Sequence, residues 1–292
     1  MMAAAACVVT LGVGAALAGS SQHSVVAANG CSSVDQFVPF ANCAHSKLPA
    51  AQLQNRSMHG IELTGSNLSN AQLSGANLAR AHVSSRESEG SHTDLTNAIL
   101  TGTELSGANL TGANLTGANL TRAHLYGTEL SGANLFGAIM EHAQLGEANL
   151  TDANLTDGDM PGSDLFDADL TDADLTDADL TDASMVGADL GEANVTRADL
   201  TRANLIEANL GGANVSHADL NRADLTDANL TDADLSGASF YGADLNRTDL
   251  NRAKLDGTNF DGADLSDATW TDGRTCAVGS IGECKLKTPI GS

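Results

Sequence analysis

The feature that most constrains this chain is a five-residue period that runs through most of its length. From Leu95 to Trp270, every residue whose number is a multiple of five is Leu, Met, Val, Phe or Trp, which gives 36 consecutive pentads. Two residues before each stands a small residue, most often Ala, and the other three positions are mainly polar. A period of five fits neither the 3.6-residue period of an α-helix nor the two-residue period of a strand. The chain must therefore turn a corner every five residues.

Four such corners close a square coil, with the large apolar residue and the small residue of each pentad pointing inward. Stacked coils pair through their backbones at about 4.8 Å, so the pentads would form a rod about 43 Å tall. A single pentad buries too little apolar surface to offset its backbone entropy, so the coils are stable only when they stack. The sequence therefore predicts an all-β solenoid with a filled interior.

The repeat has the form A-[DN]-L-[ST]-x, seen in Ala108-Asn109-Leu110-Thr111-Gly112 and in Ala173-Asp174-Leu175-Thr176-Asp177. This pattern resembles the pentapeptide-repeat family over about three quarters of the chain. The resemblance implies a right-handed quadrilateral β-helix. A few family members mimic DNA in shape and charge and bind DNA gyrase, whereas most have no known role.

The start of the chain is typical of a cleavable signal peptide. Residues 1–18 are almost wholly apolar and end in small residues before Gly19, although the usual basic start is absent. The run is too short and too rich in Gly and Ala for a convincing membrane span. We expect an exported protein, extracellular or periplasmic. A misassigned start codon, or an apolar tail without a targeting role, is the alternative.

Cleavage would remove Cys7 and leave one close pair of cysteines near each end of the mature chain. Cys31 with Cys43, and Cys276 with Cys284, are expected to form two local disulfides. A zinc site is the competing interpretation, but neither pair has C-x2-C spacing and no His recurs nearby. The gyrase-binding members look cytoplasmic and lack these features, so this chain differs from them at both ends. Its ending from Trp270 onward is similar to that of exported bacterial members.

The repeats are expected over residues 53–270, between an N-terminal cap at 19–52 and a C-terminal cap at 271–292. Each cap would cover an open β edge of the solenoid. A first block runs in register from Leu53 to Val83, and the register resumes at Leu95, which indicates two additional residues within a break at 84–94. The break is either a protruding loop that contacts a partner or a degenerate coil with a bulge.

The outward positions are strongly acidic. The chain has 37 Asp and Glu against 14 Lys and Arg, a net charge of −23, which disfavours direct nucleic-acid binding and favours basic proteins or cations as partners. Eleven Asp and no Lys, Arg or Glu lie between positions 152 and 182. This acidic belt attracts a cationic partner, imitates a phosphate backbone, or is a solvated surface that keeps the rod soluble. Weak Ca²⁺ binding would relieve its repulsion, but the repeat of calcium-binding solenoids is absent. The belt consists of Asp152, Asp157, Asp159, Asp164, Asp167, Asp169, Asp172, Asp174, Asp177, Asp179 and Asp182.

Large apolar residues at one outward position form a second candidate surface. Positions twenty apart should lie on one face, one coil apart, so an apolar column is expected with Gly146 as its interruption. Such a column is a candidate contact for a partner or for a homodimer. Its members are Tyr126, Phe166, Val186 and Ile206. The five-residue period and the twenty-residue coil also place Met140, Met160, Phe240 and Phe260 inside the rod as packing residues.

Nothing in the sequence indicates catalysis, a cofactor or a metal site. The eight His are scattered without a fixed spacing to Cys or to a nucleophilic Ser. A filled coil also offers no pocket for a substrate. The leading interpretation is a non-enzymatic exported scaffold, a rigid acidic rod that binds an unidentified protein. The alternative is a DNA-mimicking inhibitor or protector of DNA gyrase, which requires a cytoplasmic chain.

Overall fold

A computed structural model of the protein describes residues 31–83 and 93–287. The expected signal peptide and Cys7 lie outside the described residues. Within those ranges the only helix is a single 3₁₀ turn, Val34–Gln36. The rest of the repeat region is a ladder of isolated parallel β-bridges between residues twenty apart, such as Asn134 with Asn154. The chain is therefore an all-β solenoid, a β-helix whose coils contain twenty residues and four bridges.

A pentad inside the rod can satisfy all of its backbone N–H groups, as the one from Ala133 to Gly137 shows. Three N–H groups bond to neighbouring coils: Asn134 to the carbonyl of Ala113 at 2.9 Å, Leu135 to that of Asn154 at 2.7 Å and Gly137 to that of Thr156 at 2.9 Å. The N–H of Ala133 closes the preceding turn onto the carbonyl of Leu130. The N–H of Phe136 donates to Oδ1 of Asn134 at 3.2 Å. The Asn or Asp before the central Leu therefore supplies the acceptor that the backbone lacks.

The corners are four-residue turns that need a left-handed residue in their third position. From Asn97 to Asp267, every fifth residue has a φ between 51° and 74°. A type II turn requires a positive φ at this position, which Gly and Asn adopt most readily. The repetition of this turn explains why a chain with many Gly and Asp can keep a five-residue period.

Several corner glycines lie beneath the side chain that stands one coil earlier at the same corner. A Cβ built on Gly162 would lie 2.5 Å from Nδ1 of His142, and one on Gly237 would lie 2.5 Å from Nδ1 of His217. Glu192 covers Gly212 in the same way. His142, Glu192 and His217 therefore each rest on a glycine of the following coil.

The interior is a single continuous core of the central residues and the small residues two before them. Met140, Met160 and Phe240 are completely buried and Phe260 nearly so, as the sequence predicts. The rings of Phe240 and Phe260 stack with centroids 5.3 Å apart, and Trp270 packs on Phe260 at 5.8 Å. These residues pack the end of the rod rather than form a ligand site.

The break in register is larger than the sequence pattern indicates. Asn67 bridges Asp94 and His82 bridges Asn109, which are 27 residues apart instead of twenty. Seven residues are therefore additional, not two. Five of the seven additional residues leave the five-residue register unchanged, and only the other two shift it. The sequence pattern therefore indicates two additional residues. The choice between a loop and a bulge concerns residues 84–92, which lie outside those described.

Both predicted cysteine pairs are joined by disulfides at the ends of the solenoid. Cys31 and Cys43 have Cα atoms 4.6 Å apart, and Cys276 and Cys284 have Cα atoms 5.1 Å apart. At the N-terminal end, the buried side chain of Phe37 closes the core. The regular ladder begins with the bridge from Asn42 to Glu62, so it includes residues before Leu53.

Candidate interaction surfaces

The apolar column is brought together by the twenty-residue coil. Tyr126 and Phe166 are exposed, at 50% and 44%, whereas Val186 and Ile206 are half-buried. Gly146 is buried, and a Cβ built on it would lie 3.3 Å from Cδ2 of Tyr126. The ring of Tyr126 therefore lies over Gly146 and covers the interruption in the column.

Acidic residues border the apolar column along the adjacent corner. Glu147, Asp167 and Glu207 directly follow column positions in three coils. The neighbouring Glu147 carboxylate, followed by desolvation and the charge of Asp167, raises the pKa of Tyr126. An apolar strip with an acidic border is complementary to a segment that carries both apolar and basic side chains.

The acidic belt is partly neutralised along its C-terminal edge. Arg197 forms a bidentate pair with Asp177, and Arg202 forms one with Asp182, each across one coil. These hydrogen bonds hold the pKa of both carboxyl groups below its ordinary range. The other nine Asp of the belt have no such Arg partner among the described residues.

Four consecutive Asp stack on one side of the rod. Parallel bridges join Asp159 to Asp179, Asp179 to Asp199 and Asp199 to Asp219. The side chain of Asp159 stays largely exposed, yet partial desolvation, followed by the charges of Asp179 and Glu141, raises its pKa. These four carboxylates therefore form a straight row along the rod axis.

Sequence reasoning did not identify the ion pairs between coils. Besides the two on the belt, bidentate pairs join Asp227 to Arg247 and Asp232 to Arg252. Their signal is present in the sequence, since opposite charges recur twenty residues apart at the same corner position.

Across residues 31–83 and 93–287, no group of three or more His, Cys, Asp or Glu is arranged to hold a metal ion. Over the same ranges, no helix has the length and apolar character needed to cross a membrane.

The fold and its surfaces define a class of protein, a β-solenoid whose exposed sides carry the features suited to binding. A family model described as pentapeptide repeats matches in 8 copies, over residues 46–84, 91–127, 128–165, 163–202, 203–241 and 233–269. The chain belongs to the pentapeptide-repeat family, which confirms the resemblance seen in the sequence.

Several solved structures resemble the chain. HetL, a pentapeptide repeat protein involved in heterocyst differentiation regulation from the cyanobacterium Nostoc sp. Strain PCC 7120, is 30% identical, with 80% of this chain and 92% of HetL covered and a TM-score of 0.31. Rfr23 from the cyanobacterium Cyanothece 51142 is 28% identical, with 43% of this chain and 91% of Rfr23 covered and a TM-score of 0.26. QnrB1, a plasmid-mediated fluoroquinolone resistance protein, is 17% identical, with 74% and 88% covered and a TM-score of 0.31. No curated protein matches the chain.

Proposed function

We propose that this protein is a non-enzymatic, exported scaffold, a rigid four-sided acidic rod that binds a protein partner through its apolar column. The observation that carries the proposal is the column itself, from Tyr126 to Ile206, with Gly146 covered by an aromatic ring. Exposed contiguous apolar patches tend to mark interaction sites. The continuous backbone ladder gives this surface a rigid support.

The partner proposed for this surface is a basic protein. The column is bordered by Glu147, Asp167 and Glu207, and the net charge of the chain is −23. Charges of this kind steer oppositely charged partners and exclude nucleic acid. A segment with apolar side chains for the column and Lys or Arg for its border fits both features.

The test compares binding by three forms of the purified protein: wild type, the double variant Tyr126→Asp with Ile206→Asp, and the control double variant Phe136→Asp with Tyr241→Asp. The control adds the same charge at exposed aromatic residues outside the column. Each form is exposed to the extracellular or periplasmic fraction, and the proteins that it retains are identified by mass spectrometry. We expect a basic protein retained by wild type and control but lost from the column variant. Equal retention by all three forms would contradict the proposal.

Export is tested separately by the mass of the protein recovered from cells. If residues 1–18 are a cleaved signal peptide, the mature chain begins near Gly19 and is found outside the cytoplasm. An intact N-terminus on cytoplasmic protein would rule out export and leave the column proposal to its own test.

A second candidate function is imitation of DNA toward a topoisomerase. The row from Asp159 to Asp219 favours it, because a line of carboxylates resembles the charge of a phosphate backbone. Inhibition of gyrase supercoiling that weakens in the double variant Asp179→Asn with Asp199→Asn would support this function. Unchanged supercoiling at any protein concentration would exclude it.

A further inference from the structure

One long side of the rod carries two neighbouring columns of short polar side chains, which together we call the hydroxyl face. The first column stands before the central residues, and parallel bridges join its members coil to coil. It consists of Asp94, Asn114, Asn134, Asn154, Asp174, Asn194, Asn214 and Asp234. The second column follows the same central residues and carries a hydroxyl in every coil but one. It consists of Thr96, Thr116, Phe136, Thr156, Thr176, Thr196, Ser216 and Ser236.

Hydrogen bonds fix the side chains of the hydroxyl face both within a coil and between coils. Within a coil, the Thr196 hydroxyl donates to Oδ1 of Asn194 at 2.6 Å, and the Ser216 hydroxyl donates to Oδ1 of Asn214 at 2.7 Å. Between coils, Nδ2 of Asn194 donates to Oγ1 of Thr176 at 2.8 Å. The two columns are therefore linked to each other along the rod axis.

The same links recur nearer the N-terminal end of the face. The Thr116 hydroxyl donates to Oδ1 of Asn114 at 2.7 Å, and Nδ2 of Asn114 donates to Oγ1 of Thr96 at 2.9 Å. Nδ2 of Asn154 donates to Oδ1 of Asn134 at 3.1 Å. The hydroxyl face is thus a hydrogen-bonded array whose side chains are held in place.

The hydroxyl face offers fixed hydrogen-bond acceptors to water. A hydroxyl has one proton to donate and two lone pairs that accept. Thr196 and Ser216 donate their protons within the protein, so their lone pairs remain for the solvent side. Thr176 donates to Asp174 at 2.6 Å and accepts from Asn194, which leaves it one lone pair. Water that binds along this column must therefore point a proton toward the protein at each hydroxyl.

These acceptors repeat at a constant interval. Five consecutive coils carry a hydroxyl, from Thr156 to Ser236. Backbone-paired coils lie about 4.8 Å apart, so this row is about 19 Å long. The interval is close to the repeat of equivalent oxygen atoms in surface planes of hexagonal ice. Water molecules ordered by the row are therefore spaced nearly as they are in ice.

Charge on this side of the rod is lower than on the others. The column from Asp94 to Asp234 has three carboxylates in eight positions, against four in each of the three equivalent columns that begin at Ile99, Glu104 and Asn109. Carboxylates are strongly hydrated, and stripping that water is costly. The hydroxyl face is consequently the side on which contact with a neutral lattice of water costs least.

We propose that the hydroxyl face binds the surface of ice, so that the rod adsorbs to ice crystals and slows their growth. Side chains that are already fixed lose little conformational freedom on binding. Contacts made through ordered water, each weak, therefore add along the row. The hydroxyl column lies ten residues, half a coil, from the apolar column, so the two lie on opposite sides of the rod. This function does not depend on the partner proposed for the apolar column.

The test measures thermal hysteresis, the gap between the melting and freezing points of an ice crystal in the protein solution. It compares the wild-type chain, with its disulfides intact, with two double variants. Thr176→Lys with Thr196→Lys alters the hydroxyl face, and the control Thr201→Lys with Thr226→Lys adds the same charge at half-buried Thr of other columns. Hysteresis should rise with concentration for wild type and control, and fall to that of buffer for the face variant. Equal hysteresis in the two variants would overturn the role of this face.

A second measurement uses wild type alone, so the proposal stays testable if a variant does not fold. Wild type should be concentrated in slowly growing ice, while a globular reference protein of similar mass stays in the liquid. Exclusion of wild type from the ice would overturn the proposal. So would hysteresis that survives Thr176→Lys with Thr196→Lys but is lost with Tyr126→Asp and Ile206→Asp, because ice would then bind the apolar column.

Discussion

At the scale of single residues, the position before the central Leu has a specific backbone role. Its Asn or Asp side chain accepts the one N–H of the pentad that no neighbouring carbonyl reaches, as Asn134 does for Phe136. A buried or half-buried N–H without an acceptor is costly, and Asn and Asp are the residues whose short side chains reach two residues ahead. This requirement explains why Asn and Asp predominate there.

Replacing this acceptor should destabilise the rod locally. Asn134→Ala removes the acceptor of the Phe136 N–H and of the Nδ2 group of Asn154. The expected loss is about 1 kcal/mol for each hydrogen bond, measured by urea or thermal unfolding. Asn134→Asp is the matched control because it keeps Oδ1, and it should unfold close to wild type. Equal destabilisation by both variants would contradict this role.

Asp159 should oppose folding at neutral pH. Its pKa is raised in the folded state, first by desolvation and then by Asp179 and Glu141. A raised folded pKa means that the folded chain is favoured when the group is protonated, and that this benefit is lost as the pH rises through the folded pKa. Asp159→Asn should therefore stabilise the protein near pH 7 by about 0.5 kcal/mol, the scale of exposed charge pairs. The gain should shrink at acidic pH, and a gain that grows there would disprove the assignment.

At the scale of elements, the caps depend on their disulfides. The Cys276–Cys284 bridge closes a short segment of sequence separation 8 whose hairpin covers half of the last coil. A bridge of this kind stabilises by about 2 kcal/mol. Cys276→Ser with Cys284→Ser should lower the melting temperature and increase amide exchange in residues 263–287, while exchange in the central coils stays slow. Four free thiols in the intact mass of the wild-type protein would refute both bridges.

Some elements of the fold can be predicted from the sequence alone, and others cannot. The period of five predicts the inward residues, the coil and the apolar column, because every pentad repeats the same local turn. It does not predict the full length of the seven-residue insertion, because five of those residues leave the five-residue register unchanged. Nor does it predict how the C-terminal cap pairs with the last coil, because the cap from Trp270 onward follows no repeat and its pairing depends on long-range hydrogen bonds.

At the scale of the whole molecule, charge should limit stability. The net charge is −23, and Asp residues face one another across consecutive coils, so the folded rod concentrates like charges that the unfolded chain spreads apart. Salt screens such exposed charges within about 10 Å at 0.1 M. Raising NaCl from low to physiological concentration should therefore raise the melting temperature by a few degrees. A melting temperature that falls with added salt would show that the ion pairs between coils outweigh the repulsion.

The glycines beneath bulky corner residues have a consequence for how such a rod can evolve. Gly162 accommodates His142, and Gly237 accommodates His217, so neither glycine can acquire a side chain while the residue above it keeps its position. Mutations at these corners are therefore coupled across one full coil. Homologous rods that keep a histidine at position 142 or 217 should therefore rarely replace the glycine twenty residues later.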